Sequence, residues 1–313
     1  MKTPERLRDA LRRRADLYAL IRRFFAERDV LEVETPILSA SANTDPNIQS
    51  FSTRFRDNDV RWLRTSSEFA QKRLLAAGIG DCYELGRVFR DGEAGRRHNP
   101  EFTMLEWYRV GRDHRWIADE AVELIRILLD SVNKTGRLKT YTYRELFQST
   151  VSVDPFDATE ESLQAALGDV RIGPRGLTRD DWLDLLLTHR IQPKLPADQI
   201  TVVFEYPAAQ CALARIRDGV AERFEIYVGS QELANGYHEL TDAAEQLARF
   251  ENDNLRRRKK SQLSMPIDEH FLEALKNGLP PCSGVALGVD RLLMAMSDAD
   301  SIADVLSIGF GCA

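Results

Sequence analysis

Within Phe89–Tyr108, FRDGEAGRRHNPEFTMLEWY, an arginine (Arg90) is followed by a turn of small and charged residues, then by His98, Asn99, Pro100, Glu101 and Phe102. The flanking runs YELGRVF and FTMLEWY carry the β-branched and aromatic residues of strands. Two strands joined by a loop rich in Gly and Arg suit an anionic ligand lying across a hairpin. Arg90 would grip a phosphate in a bidentate fork, and Phe102 would offer a flat face to a base. An ordinary hairpin with a solvated basic tip is the plainer reading.

Three further segments carry chemistry. In ERFEIYVGSQELANGYHELTD, Glu225, Glu232 and Glu239 recur every seven residues, and Gly229 and Gly236 allow the stretch to bend. A strand alternates faces, so Glu225 and Glu232 meet only if the Gly229–Ser230 bend joins two antiparallel strands. Paired carboxylates near a triphosphate would hold magnesium, a hard cation that favours oxygen ligands; exposed strand glutamates are the plainer alternative. In SGVALGVDRLLMAM, small residues at Gly284, Ala286 and Gly288 let a ligand approach the backbone, and Asp290 and Arg291 then open an apolar helix, placing an arginine where it reaches a polyphosphate. In RTSSEFAQKRLLAAG, Ser66, Ser67 and Glu68 stand at a helix start, read either as an N-cap serine with a first-turn glutamate or as a Glu68 that binds a substrate ammonium.

These groups need elements to hold them. Thr3 as cap, Pro4 in the first turn, and Leu7, Leu11, Tyr18, Ile21 and Phe25 at helical spacing predict a helix over Pro4–Arg28. Its many arginines, Arg14 and Arg22 among them, read as a solvated face. VLEVETPIL reads as an alternating strand stopped by Pro36. A helix over Ser67–Ala77 ends at Gly78, and residues 113–200 look mainly helical, with a loop at Pro193 and Pro196. Strand-like runs return at TVVFEY, RFEIYVG and QELANG. Helices near 242–260 and 268–277 precede a buried strand, SGVALG, and the helix DRLLMAM. Strands at both ends around a helical middle predict the α+β class, an antiparallel sheet flanked by helices.

With 313 residues, 43% hydrophobic and 29% charged, the chain can bury a sizeable core. No apolar run approaches the ~18–20 residues that span a bilayer, and the N-terminus lacks the apolar segment of a signal peptide, so a cytoplasmic location is expected. Four scattered cysteines form no CxxC pair, and a net charge of −6 argues against broad non-specific nucleic-acid binding.

Taken in order, VLEVETP, SSEF, FRDGEAGRRHNPEFTMLEWY, ELANGYHELTD and GVALGVDR resemble the catalytic core of the class II aminoacyl-tRNA synthetases, lysyl-tRNA synthetase above all. RHNPEFTMLEWYR, VAERFE, ELANG, HELTDA and CSGVALGVDRL are closer still to its paralogues, the elongation factor P–(R)-β-lysine ligases. The resemblance implies a single class II synthetase-like catalytic domain over 1–313. The pattern begins within the first thirty residues, so no N-terminal OB-fold anticodon-binding domain is expected. It also implies activation of (R)-β-lysine by ATP with Mg2+, transfer to the ε-amine of a lysine of elongation factor P, no tRNA, and a homodimer formed through the first helix and the strand ending at Pro36.

Position by position, the resemblance puts Arg90 and Arg291 on the phosphates, Phe102 against adenine, and Asp91, Gly92, His98, Asn99, Leu233 and Gly288 around the nucleotide. Glu225 and Glu232 would hold magnesium. Ser66, Ser67, Glu68, Glu106, Tyr108, Asn235, Glu239 and Ala286 would form the lysine pocket. Two positions depart from the synthetase pattern. Gly92 stands where an adenine-contacting glutamate is usual, with Glu93 or Asp91 as substitutes, and Ala286 stands where synthetases have glycine. One methyl shifts selectivity by only about 1–3 kcal/mol. A minimal enzyme charging tRNA with lysine and a catalytically inactive, amino-acid-binding paralogue are the alternatives.

Overall fold

The computed structural model describes residues 3–56, 59–170 and 177–313. In chain order the elements begin α1 (Pro4–Ala26), β1 (Leu31–Glu32), β2 (Leu38–Ser39), β3 (Ser52–Phe55), β4 (Asp59–Leu63), α2 (Glu68–Ala76), β5 (Cys82–Phe89) and β6 (Glu101–Val110). There follow α3 (His114–Asp130), β7 (Arg137–Thr142), α4 (Tyr143–Val151), α5 (Glu160–Leu167), α6 (Arg179–Leu186), β8 (Gln199–Pro207), β9 (Ile216–Arg217), β10 (Val220–Val228) and β11 (Gln231–His238). The last are α7 (Ala243–Lys259), α8 (Glu269–Gly278), β12 (Cys282–Gly288) and α9 (Val289–Ser297). The chain divides into two compact units, one of residues 1–112 with 240–313 and one of residues 113–239.

In the first unit the strands run β1-β5-β6-β12, with β2-β4-β3 as a separate small sheet. The β5–β6 hairpin is antiparallel from Cys82↔Tyr108 to Phe89↔Glu101, and β12 lies antiparallel on the other side of β6 from Cys282↔Val110 to Gly288↔Met104. The apolar stripe of α1 is buried through Leu17, Ile21 and Phe25. Phe25 stacks on Tyr83 at 4.3 Å and meets the edge of Trp107 at 5.5 Å. Thr3 caps α1 by accepting from Arg6 N–H, with Pro4 following in the first turn. Phe69 of α2 stacks on Phe271 of α8 at 4.8 Å, and the chain leaves α2 through Gly78 at φ +84°.

In the second unit the order is β11-β10-β8-β7, with β9 on β10. Helices α4, α5 and α6 fill a core in which Tyr143 stacks on Phe147 at 4.4 Å and tilts against Tyr206 at 4.7 Å, beside Leu163, Leu183 and Ile191.

The α+β class holds, with three corrections. The sheets are mixed: β1 runs parallel to β5 and β7 parallel to β8. The strand expected up to Pro36 is only two residues long; Val33 N–H still reaches Tyr83 O at 2.8 Å, but the chain leaves the ladder before a proline that has no N–H to give. And the helical middle contains β7, whose first four residues are exposed.

The arginines of α1 are not all solvated. Arg14 donates to the Asp290 carboxylate, to Val305 O at 3.1 Å and to Tyr18 Oη at 3.1 Å; Asp290 in turn accepts from Thr103 N–H at 2.7 Å. Arg22 stays exposed but forks onto the Glu32 carboxylate at 3.0–3.1 Å. Among the described residues no helix is long and apolar enough to cross a membrane.

Candidate active site

In the first unit the site is laid out by the alternation of β6. Phe102, Met104, Glu106 and Tyr108 share one face, and the ladder sets Val88, Gly86, Glu84 and Cys82 of β5 beside them on one side. On the other side stand Gly288, Ala286 and Gly284 of β12, opposite Met104, Glu106 and Tyr108. On the β12 side, and at Gly86 of β5, small residues therefore flank the bulk that β6 puts on this face.

At one end of this face lies Arg90, whose N–H bonds Pro100 O at 2.9 Å and so closes the hairpin mouth. Its guanidinium carbon sits 5.3 Å from the centre of the Phe102 ring. Nη1 approaches Glu93 at 3.5 Å, while Nε is buried with no hydrogen-bond partner. A buried guanidinium N–H without an acceptor is costly unless a ligand supplies one. Glu93 thus stands beside Arg90 in the loop where Gly92, at φ +80°, has no carboxylate to offer; Asp91 uses its backbone N–H on Gln49 O. Asn99 donates to Glu101 O and accepts from Phe310 N–H at 3.1 Å, so its amide serves to hold the loop. Arg291, two residues into α9, donates to His98 Nε2 at 2.7 Å. Burial, and after it the charge of Arg291, holds the His98 imidazole below its usual pKa, so the ring is neutral and free to accept.

Further along the same face, Glu106 is 2% exposed. Ser66 Oγ donates to it at 2.8 Å and Ser67 N–H at 3.1 Å. Burial pushes its carboxyl up to about 7, against the pull of those two donors. The Ser67 side chain is not the N-cap expected: its Oγ accepts from Gln71 at 2.7 Å, and Ser66 Oγ takes the N–H of Glu68 at 3.0 Å. Glu68 itself is engaged by the fully buried Lys72 at 2.6 Å, an i,i+4 pair.

In the second unit, the turn at Gly229 and Ser230 joins β10 and β11 antiparallel, pairing Glu225 with Asn235 and Tyr227 with Glu232. Leu233 is the extra residue of a bulge, which is why Glu232 and Asn235, three apart, come to one face while Leu233 is buried. On that face Arg223 donates to the Glu225 carboxylate, to Asn235 Oδ1 at 3.1 Å and to Gln210 O at 2.8 Å. Tyr227 Oη donates to the second Glu225 oxygen, and Asn235 Nδ2 reaches Tyr237 Oη at 2.7 Å. Each Glu225 oxygen keeps a second lone pair, and Glu232 is half-buried on the same face. Two carboxylates so placed fit a hard divalent cation. Glu239, just beyond β11, is buried.

The sequence model of the class II tRNA synthetases (D, K and N) matches residues 2–309. The chain belongs to this family. Among its relatives, a protein of Yersinia enterocolitica named "Elongation factor P--(R)-beta-lysine ligase" is 46% identical over 312 residues, covering 96% of this chain and 95% of the relative. Proteins of the same name from Vibrio parahaemolyticus and Vibrio cholerae are 44% and 45% identical, again over 96% of this chain.

Several residues that shape this class II site were not singled out from the sequence. Arg64 pairs with buried Glu84 at 2.6 Å and donates to Arg87 O and Thr35 O, while Thr35 Oγ1 donates to Glu84 at 2.6 Å. Glu84 faces Glu106 across the ladder, so two buried carboxylates lie side by side, one with a guanidinium and one without. Gly86 was the available clue: a Cβ there would collide with the Arg64 guanidinium. Arg223 and Tyr227 share the alternate positions of Glu225, which the strand period alone marks as same-face neighbours.

Proposed function

We propose that this chain is an ATP-dependent ligase that activates (R)-β-lysine as an aminoacyl-adenylate and transfers it to the ε-amine of one lysine of elongation factor P. The observation that carries the reading is Arg90: a guanidinium lying over the Phe102 ring with a buried, unpartnered Nε. That pairing suits an α-phosphate beside a stacked adenine. The names of the relatives supply the amino acid and the acceptor.

In the first step an amino-acid carboxylate oxygen bonds to the α-phosphorus as the bond to the bridging β-phosphate oxygen breaks, releasing pyrophosphate. Arg90 holds the charge that develops on the α-phosphoryl oxygens, and Arg291 holds the γ end of the triphosphate. Glu225 and Glu232 would hold Mg2+, which would supply further neutralisation of phosphate charge. Glu106, with Ser66 and Ser67 fixing its carboxylate, takes an ammonium of the substrate; Glu68, Tyr108, Asn235, Glu239 and Ala286 belong to the same assignment. In the second step the acceptor ε-amine attacks the acyl carbon, the amide forms, and AMP leaves with the electrons of the broken anhydride bond.

The reading includes a homodimer. Exposed apolar side chains at Leu31, Ile37, Leu38, Phe55, Val60 and Leu263 support it. The deciding experiment is ATP–pyrophosphate exchange with (R)-β-lysine and α-lysine, followed by mass spectrometry of elongation factor P incubated with enzyme, ATP and each isomer. Faster exchange with (R)-β-lysine and one added β-lysyl group on a single lysine are expected. Exchange that prefers α-lysine, with label on tRNA and none on the protein, would replace this reading.

A further inference from the structure

His114, Glu222 and His238 lie far apart in the chain and meet in the second unit. His114 is the first residue of α3, Glu222 is on β10 and His238 closes β11. One ligand atom from each, two imidazole nitrogens and a carboxylate oxygen, lies within 4.8 Å of the others. His238 Nδ1 stands 3.0 Å from Glu222 Oε2. None of the three has a place in the adenylating chemistry proposed above.

We propose that these residues form a binding site for one divalent transition-metal ion, Zn2+ by the chemistry of the donors. Two imidazoles and one carboxylate are the nitrogen–oxygen set that a borderline ion takes in tetrahedral sites, with a fourth position left for water. Mg2+ and Ca2+, which prefer all-oxygen shells, are disfavoured.

Two observations support the site. His114 Nδ1 is buried with no hydrogen-bond partner, and His238 Nδ1, despite its nearness to Glu222, makes no aligned hydrogen bond either. Two such ring nitrogens in one small cluster call for a ligand. The cluster also has supporting contacts. Asp113 lies beside both histidines, the Phe204 ring meets His114 edge-on at 5.8 Å, and the Glu222 and His238 backbones are both bonded to Arg215. Arg215 donates to Glu222 at 2.7 Å from a side chain 42% exposed, so it can turn outward when a dication arrives. A bound ion would tie the start of α3 to the β10–β11 hairpin.

The test is titration of chelator-treated full-length protein with Co2+, then Zn2+, in millimolar Mg2+ to occupy carboxylate-only sites. One equivalent of Co2+ should give the intense visible bands of tetrahedral coordination, displaced by one equivalent of Zn2+, and Zn2+ should raise the melting temperature. His114→Asn and His238→Asn, each checked for folding by circular dichroism, should weaken binding at least 100-fold. A wild-type protein that binds less than a tenth of an equivalent, or shows only the pale spectrum of hexa-aqua Co2+, overturns the site whatever the variants do. Undiminished Co2+ bands in both folded variants overturn it equally, since the ion would then lie elsewhere.

Discussion

Two hairpins each carry an arginine and a glutamate, and they treat them in opposite ways. On β10–β11, Arg223 and Glu225 satisfy each other, and the remaining donors go to Asn235 and Gln210. On β5–β6, Arg90 keeps an unpartnered Nε, and Glu106 is met only by a hydroxyl and an N–H. On β10–β11 the guanidinium is satisfied within the hairpin and Glu225 keeps only spare lone pairs for a cation, whereas β5–β6 leaves a guanidinium N–H without an acceptor. Arginine is therefore structural in one place and receptive in the other.

The sharpest way to break this contrast is Arg223→Leu. It strands the Glu225 carboxylate at 6% exposure and should cost about 3–5 kcal/mol in urea unfolding; a loss under about 1 kcal/mol would mean that the pair is not a closed unit. Arg90→Ala should do the reverse, lowering ATP–pyrophosphate exchange by about 10²–10³-fold while shifting stability by less than about 1 kcal/mol. Unchanged exchange would remove Arg90 from the mechanism.

Glu106 gives a pH signature. Its carboxyl ionises near 4.5 in the unfolded chain and near 7 in the fold, so the unfolded state is the one that ionises first as pH rises. Below about 4.5 the group has no effect on stability; between there and 7 stability falls, by roughly 3 kcal/mol in total, and it stays lower above. Glu106→Gln should flatten that slope in melts between pH 5 and 8. It should also raise the KM for the amino acid by about 10–100-fold, the worth of a hydrogen bond to a charged group. A variant with the wild-type slope would place the titration elsewhere. Smallest of all, Arg22→Ala removes an exposed fork onto Glu32 and should cost less than about 1 kcal/mol in the same unfolding assay.

The contrast also marks what a sequence can carry. The helices α7 and α9 are legible because burial on one face writes a period into the residues, and β5, β6 and β12 because consecutive buried positions give apolar and β-branched runs. β7 is not, because RLKTYT is largely exposed and is placed by its parallel ladder to β8 rather than by its own alternation. Among candidate site residues, Arg90 and Phe102 could be named from one hairpin, whereas Glu106 came only with the family resemblance. Which arginine of α1 turns inward could not: Arg14 finds Asp290 across 276 positions, and a run of like charges says nothing of its exception. The His114, Glu222 and His238 cluster was likewise invisible, since no short spacing joins its members.

The division of the chain has a consequence for its synthesis. Residues 113–239 form a contiguous unit and can condense as soon as they leave the ribosome, whereas the unit containing the N-terminus is interrupted and waits for residues 240–313. Arg14 is made 276 positions ahead of Asp290, so their ion pair forms only once the later segment is available. Until then, side chains such as Phe69, whose stacking partner is Phe271, stay uncovered in the nascent chain.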